Sequence, residues 1–285
     1  MRTRGFRFPL PAATPRWAVR PRRLAWLFPL GLALLTACST PGVAPEVDQV
    51  IDAPGHASRV EFVVIHYTVS NQARALKLLT QQNLSAHYLI TDDEPARIIQ
   101  LVPESRAAWH AGVSAWQGKT SLNRRSVGIE IVNRGALDPD QTAWQPFAPS
   151  QIERLIPLVR GIMARHELPP ENVIGHGEIA PGRKVDPGPR FPWKRLAQAG
   201  VASWYDEALA GQYQQQFELS GLPAVEVQRE ALLKVGYPAP ADPASEAGWQ
   251  AVWRAFQMRY RPQRHDGVAD AQSVAILFAL ANTRR

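Results

Sequence analysis

The sequence has 285 residues, of which 45% are hydrophobic, and it carries a formal net charge of +7. This hydrophobic fraction is typical of globular proteins and excludes a largely disordered chain. The seven arginines of residues 1–37, a segment without lysine or acidic residues, account for all of that charge, so residues 38–285 are neutral overall. A neutral remainder disfavours nucleic-acid binding, which depends on basic side chains that neutralise phosphates.

Residues 1–37 have the pattern of a secretory signal peptide. A basic stretch ends at Arg23, and Leu24–Ala37 form an apolar run of 14 residues, shorter than the roughly 20 that span a bilayer. The run ends in Leu-Thr-Ala-Cys, which resembles a bacterial lipoprotein signal, and Cys38 is the only cysteine in the chain. We therefore predict a lipid anchor on Cys38; the alternative is an uncleaved membrane anchor before a fortuitous cysteine. Ser39 favours the outer membrane, with the protein facing the periplasm.

Strands and helices alternate along the following part of the chain. Val60–Thr68 is a nearly continuous apolar run, which is typical of a buried strand. A helix is predicted over residues 71–83, and further strands are predicted over His87–Thr91, Arg97–Val102 and Ser126–Val132. The alternation predicts an α/β domain with a central mixed β-sheet flanked by helices.

The clearest helical pattern runs from Ser150 to Glu167, where apolar residues recur with the 3.6-residue period. Ser150 and Glu153 have the spacing of a capping box, which predicts a helix start at this point. Pro157 removes a backbone donor, so we expect a kink or a later start there.

Three further helices are predicted over residues 222–285. Trp249, Trp253 and Phe256 share one face of the middle helix. We interpret that face as part of a core, with a sugar-binding platform as the alternative. The predicted layout is a signal peptide (1–37), a tether (38–58), an α/β domain (59–200), a linker (201–221) and a small three-helix domain (222–285).

Two short segments far apart in sequence contain the residues with the clearest chemistry. His66 ends the first predicted strand, whereas His176, Lys184 and Asp186 lie in one glycine- and proline-rich segment. Two imidazoles and a carboxylate are the protein ligands of a hydrolytic zinc centre with a free fourth position. Taken singly, His66 could be a hydrogen-bonded core residue and Asp186 a turn residue. Their occurrence together with Lys184 and Glu130 favours the metal site.

Five stretches resemble a known enzyme family, and they are VVIHYT, SAHYLI, AWHAG, SVGIEIVN and GHGEIAPGRKVDPGPRFPW. They resemble the zinc-dependent N-acetylmuramoyl-L-alanine amidase type 2 family, which shares its fold with peptidoglycan recognition proteins and T7-type lysozyme. The resemblance extends from Val60 to Trp193, and the overall plan is similar to that of AmiD-like lipoproteins. The C-terminal segment resembles, over shorter motifs, the peptidoglycan-binding type 1 module.

The resemblance implies hydrolysis of the amide between N-acetylmuramic acid and the L-alanine of peptidoglycan or its fragments, by a protein that we expect to be a monomer. It implies one zinc ion per chain, bound by His66, His176 and Asp186. It also implies catalytic roles for Glu130 and Lys184. Three further positions, by the same resemblance, line the substrate groove: Trp109, His110 and Asn133.

Some alternatives remain open at this point. Certain relatives have a catalytic tyrosine where this chain has Ala86, so the role of base depends more heavily on Glu130. Glu130 could instead be a buried carboxylate paired with an arginine. We interpret His87 as a packed residue or as one that supports the ligands by hydrogen bonding, and not as a ligand itself. The chain could also be a non-catalytic peptidoglycan recognition protein, or a structural lipoprotein that links membrane to wall through its C-terminal module.

Overall fold

A computed structural model describes residues 49–51 and 53–283. The predicted signal peptide, Cys38 and most of the predicted tether lie outside the described residues. Of the described residues, 55–283 form one compact unit. In the part of the chain that is described, no helix combines the length and apolar character needed to span a bilayer.

The described residues contain seven short strands and eight helices. The strands are β1 (Phe62–Tyr67), β2 (Tyr88–Ile90), β3 (Ile98–Gln100), β4 (Ala115–Trp116), β5 (Lys119–Thr120), β6 (Ser126–Ile131) and β7 (Val173–Gly175). The helices are α1 (Gln72–Gln81), α2 (Pro149–His166), α3 (His176–Ile179), α4 (Trp193–Gln198), α5 (Glu207–Ser220), α6 (Val225–Val235), α7 (Glu246–Tyr260) and α8 (Ala271–Thr283).

Five of the strands form a mixed sheet in the order β3-β2-β6-β1-β7, which confirms the predicted fold class. The strands β2, β6, β1 and β7 are parallel, and β3 is an antiparallel edge strand. The remaining two strands, β4 and β5, form a separate hairpin. The parallel arrangement brings the carboxyl ends of β1, β6 and β7 to the same edge of the sheet, where polar side chains can converge.

Both faces of β1 are buried, as its continuous apolar run predicts. Val63 and Ile65 pack in a core cluster with residues of α2, such as Leu155. Phe62 and Val64 belong to a second cluster, on the opposite face. Because side chains alternate along a strand, this parity places residue 66 on the same face as Phe62 and Val64.

Helix α2 begins one residue before the predicted start, and its cap differs from the prediction. The side chain of Gln151 accepts a hydrogen bond of 3.1 Å from the Ala148 N–H. The Ser150 hydroxyl instead donates to Glu94 Oε2 at 2.9 Å, so Ser150 does not cap the helix and the predicted capping box is wrong. The helix continues through Pro157 to His166.

Most of residues 201–221, the predicted linker, is helical and forms α5, a helix that the sequence did not predict. Asp206 caps α5, because its side chain accepts from the Ala208 and Leu209 N–H groups. Phe217 of α5 is buried and its ring contacts that of Phe278 in α8 edge to face, with 5.4 Å between centroids. Only Ala210 and Phe217 of this helix are buried, so its sequence shows little of the apolar period that identifies a helix.

The three predicted C-terminal helices are present as α6, α7 and α8. Trp249 and Trp253 are each 6% exposed and Phe256 is fully buried, which confirms that this face belongs to a core. Phe62 and Val64 of β1 belong to the same cluster as these aromatic side chains. The C-terminal helices therefore cover one face of the sheet, while α2 covers the other.

Candidate functional site

The structure brings together the three predicted metal ligands at one edge of the sheet. His66 lies near the carboxyl end of β1, and His176 is the first residue of α3, directly after β7. Asp186 lies in the loop that follows α3. All three side chains are buried, and their candidate ligand atoms lie within 4.8 Å of one another.

The three ligand atoms form a nearly equilateral triangle. His66 Nδ1 lies 2.9 Å from His176 Nδ1, and Asp186 Oδ2 lies 3.0 Å from each of these nitrogens. Two imidazole nitrogens and one carboxylate oxygen are a donor set that suits zinc, and a common centre for all three leaves a further position for water or substrate. The residues present therefore fit a catalytic metal ion.

Each histidine of the triangle makes a hydrogen bond through its other ring nitrogen, Nε2, which is not part of the triangle. His176 Nε2 donates to the carbonyl oxygen of Ala111 at 3.1 Å. His66 Nε2 lies 3.0 Å from His110 Nδ1, and His110 Nε2 lies 3.3 Å from the Ser126 hydroxyl. Such outer contacts set the tautomer and orientation of metal-binding histidines.

The contact between His66 and His110 requires a glycine in the neighbouring strand. The His110 ring packs against Gly128 of β6, where an added Cβ would lie 2.4 Å from a ring carbon. The Ser126 hydroxyl, which His110 contacts, itself donates to the Leu122 carbonyl at 2.6 Å. A continuous chain of hydrogen bonds therefore runs from His66 to the backbone, and it assigns the proton of His66 to Nε2 and leaves Nδ1 free.

The electrostatics of the triangle favour a neutral His66 beside an ionised Asp186. Burial, reinforced by His176, lowers the pKa of His66 to about 4. Burial likewise lowers the pKa of His110 well below its usual value. For Asp186 burial alone would raise the pKa, but the two imidazoles, His176 before His66, hold it well below its usual range. Metal binding requires this protonation state.

Glu130 faces the triangle from the next strand. It is the direct partner of His66 in the parallel pairing of β1 and β6. Its Oε2 atom is buried and has no hydrogen-bond partner in the described part of the chain, so the alternative of a carboxylate paired with an arginine does not apply. Burial and the nearby Asp186 raise the pKa of Glu130 to about 8, against the opposing charge of Lys184.

Lys184 lies in the exposed loop before Asp186, and its charge lowers the pKa of both His66 and Glu130. It also lines a groove of about 350 Å³ together with Gln250 and Arg254 of α7. An exposed cation at this place can meet negative charge that develops on a substrate bound at the triangle.

The three predicted substrate residues have different environments. Trp109 is 49% exposed and presents an open aromatic surface. His110 is buried behind His66, and both of its ring nitrogens have partners within the protein. Asn133 is also buried; its amide donates to the carbonyls of Gln145 and Pro146, and its oxygen accepts from Gly135 N–H. His110 and Asn133 therefore have partners within the protein, and their contact with substrate stays a prediction.

The sequence did not predict two groups that complete the hydrogen bonds around the candidate ligands, the Ala111 carbonyl and the Ser126 hydroxyl. The Ala111 carbonyl accepts from His176 and also from the Arg183 guanidinium, at 2.7 Å. A backbone acceptor has no sequence signature, and Ser126 appears in the sequence as an ordinary strand residue. Gly128 inside an apolar strand was the one available signal, because a strand glycine often marks a close approach.

Residues 56–189 match the Amidase_2 family, described as N-acetylmuramoyl-L-alanine amidase. The chain is 40% identical over 274 residues to the N-acetylmuramoyl-L-alanine amidase AmiD of Escherichia coli (strain K12), which covers 91% of this chain and 97% of that protein.

Two solved structures are similar over most of the chain. The crystal structure of AmpDh3 from Pseudomonas aeruginosa has a TM-score of 0.79 and 40% identity, covering 85% of this chain and 98% of that one. The E. coli AmiD complex with anhydro-N-acetylmuramic acid-L-Ala-D-γ-Glu-L-Lys has a TM-score of 0.75 and 40% identity. The match covers 83% of this chain and 94% of that one. The similarity spans both the sheet that bears the triangle and the C-terminal helices, and the chain therefore belongs to the type 2 N-acetylmuramoyl-L-alanine amidase family.

Proposed function

We propose that the protein is a zinc-dependent N-acetylmuramoyl-L-alanine amidase, which hydrolyses the amide between N-acetylmuramic acid and the L-alanine of the stem peptide. The observation that carries this proposal is the convergence of His66, His176 and Asp186 beside Glu130, a buried carboxylate with an unpartnered oxygen. Family membership supports the reaction, and the geometry supports the roles that we assign to these residues.

His66 and His176, through Nδ1, and Asp186, through Oδ2, would hold one zinc ion. When bound, zinc supplies a Lewis acid that polarises the amide carbonyl and lowers the pKa of water at the free position. The nitrogen–oxygen donor set favours zinc over magnesium or calcium, which prefer ligands made only of oxygen.

Glu130 would act as the base that takes a proton from the attacking water and then passes it to the departing L-alanine nitrogen. Its position opposite His66 and its unpartnered Oε2 atom suit both steps, because that oxygen can accept a proton and return it. Lys184 would stabilise the negative charge that develops on the carbonyl oxygen as the tetrahedral intermediate forms.

The substrates that we propose are muropeptides and peptidoglycan. The E. coli relative was solved with an anhydromuramyl tripeptide as its substrate, and this chain covers 94% of that protein. The half-exposed ring of Trp109, next in sequence to His110, offers an aromatic surface on which a sugar or peptide could pack.

The proposed location is the periplasmic face of the outer membrane, with a lipid anchor on Cys38 and the protein acting as a monomer. The Leu-Thr-Ala-Cys sequence and the Ser39 that follows it support this location. An anchor near the wall would raise the effective concentration of the enzyme at its polymer.

Mass spectrometry of muropeptides incubated with the purified protein tests the proposal. We expect release of free stem peptide beginning at L-alanine, its loss with a chelator, and its recovery on addition of zinc. Glu130→Gln should abolish release while zinc stays bound, whereas Glu153→Gln, an exposed glutamate on α2, should behave as the wild type. Intact muropeptide after incubation with folded, zinc-loaded protein would instead favour a non-catalytic recognition protein.

A further inference from the structure

A fully buried ion pair joins the C-terminal helices to the helix that begins with His176. Glu178 of α3 is 3% exposed and Arg259 of α7 is 2% exposed, and Glu178 Oε2 lies 2.9 Å from the Arg259 guanidinium. Tyr237, which follows α6, donates its hydroxyl proton to Glu178 Oε1 at 2.9 Å. One oxygen of the carboxylate therefore contacts α7, and the other contacts the segment that follows α6.

The same two side chains also contact the backbone just before His176, the candidate metal ligand. Glu178 Oε2 also accepts from the Gly175 N–H at 2.7 Å, directly before His176. The Arg259 guanidinium donates to the Val173 carbonyl of β7 at 3.1 Å and to the Ser203 carbonyl at 3.1 Å. Arg259 thus joins β7, α3 and the chain after α4 at one point.

The position of α3 affects two of the three ligands. His176 is its first residue, and the next N–H, that of Gly177, donates to the Asp186 carbonyl at 2.7 Å. A four-residue helix cannot hold its own place by intrahelical hydrogen bonds, so its position depends on its tertiary contacts. A shift of α3 would move His176 and Asp186 relative to His66.

Burying two charges is a poor way to add stability, because the cost of desolvation offsets much of the attraction between them. Such a pair can instead specify one geometry, and here both oxygens of Glu178 and both terminal nitrogens of Arg259 have partners, whereas Arg259 Nε has none in the described part of the chain. Arg259 suits this task, since its planar fork reaches several acceptors at fixed angles, and its guanidinium also packs 4.0 Å from the centre of the Trp193 ring.

We propose that Arg259 and Tyr237 act, through Glu178, as positioning residues for the metal centre, so that the C-terminal helices form part of the structure that holds the zinc ligands. This inference rests on the proposed zinc site. It assigns the C-terminal unit a role within the catalytic structure, in addition to any contact that it makes with the cell wall.

The test compares zinc affinity in Arg259→Lys and Tyr237→Phe with that of the wild type, by competition with a chromogenic chelator well below the melting temperature. A lysine keeps the charge but cannot bridge β7, α3 and Ser203 together, and phenylalanine removes only the hydroxyl. The matched controls are Arg229→Lys, whose ion pair with Glu246 lies at the surface of the same helices, and Tyr213→Phe, whose hydroxyl contacts Asn282.

We expect zinc affinity to fall about 10-fold in Arg259→Lys and about 3-fold in Tyr237→Phe, and to stay unchanged in both controls. Circular dichroism establishes that each protein is folded, so a change in affinity reports the site and not global unfolding. If Arg259→Lys does not fold, Tyr237→Phe decides the question. Wild-type affinity in the folded variants would overturn the inference alone, whereas a wild-type protein that binds no zinc would overturn the proposed zinc site.

Discussion

His66 Nε2 lies 3.0 Å from His110 Nδ1, and this hydrogen bond turns Nδ1 of His66 toward His176 and Asp186. The Ser126 hydroxyl donates to a backbone carbonyl, so its oxygen accepts from His110 Nε2. His110 Nδ1 is therefore unprotonated and accepts from His66 Nε2. The tautomer of His66, a candidate metal ligand, is thus set by Ser126 of β6, which lies two hydrogen bonds away.

Removal of His110 should weaken the metal site. We expect His110→Ala to lower zinc affinity by about 10- to 100-fold, because His66 would lose the contact that fixes its ring and its proton. Chelator competition measures this change, with the exposed His56→Ala as the control. Unchanged affinity in His110→Ala would mean that packing alone orients His66.

Lys184 should affect turnover more than metal binding. We expect Lys184→Met to reduce kcat by on the order of 10²–10³, because the site would lose a cation that stabilises developing negative charge. Zinc affinity should stay close to that of the wild type. Lys194→Met, at an exposed lysine that pairs with Glu207, is the matched control. A loss confined to KM would show instead that Lys184 only binds the ground-state substrate.

The raised pKa of Glu130 predicts a pH-dependent stability of the metal-free protein. Burial raises this pKa from an ordinary value of 4.5 to about 8, so the folded state binds the proton more tightly than the unfolded state does. This contribution to stability is fully present below pH 4.5 and is lost as the pH rises toward 8.

Comparison with Glu130→Gln isolates that contribution from other titrating groups. With chelator present, the free energy of unfolding of the wild type relative to the variant should fall by up to about 1.4 kcal/mol per pH unit between these two values. Denaturant unfolding at several pH values measures the difference. A constant difference across the range would show that Glu130 is already ionised in the metal-free fold.

The shared core predicts that the α/β part and the C-terminal helices unfold together. Phe256 of α7 is fully buried in a cluster that includes Phe62 of β1, so Phe256→Ala should destabilise the protein by about 3–5 kcal/mol and lower a single melting transition. Leu219→Ala, at a residue that is 90% exposed, should leave the transition nearly unchanged. Two separate transitions in the wild type would instead indicate independent domains.

Local patterns in the sequence were enough for four of the five strands of the sheet, all but β7, and for the three candidate metal ligands. The continuous apolar run before His66 predicted a strand buried on both faces, and β1 has this environment. His176 and Asp186 could be named because they lie in one short segment whose residue types are distinctive in themselves. The helix at Glu207–Ser220 was missed because its few buried positions leave almost no apolar period to detect.

The residues that hydrogen-bond to the candidate ligands, or to the helix that bears one of them, could not be predicted from the sequence. Each of them lies in a distant segment, and only tertiary packing brings it into contact. Glu178 in isolation is a polar residue in a loop motif; its pairing with Arg259, 81 residues away, depends on α7 lying against α3. His110 reaches His66 only because Gly128 leaves room for its ring beside β6. Sequence order records residue types and local periods, whereas burial and hydrogen-bond partners follow from how remote segments fill the same space.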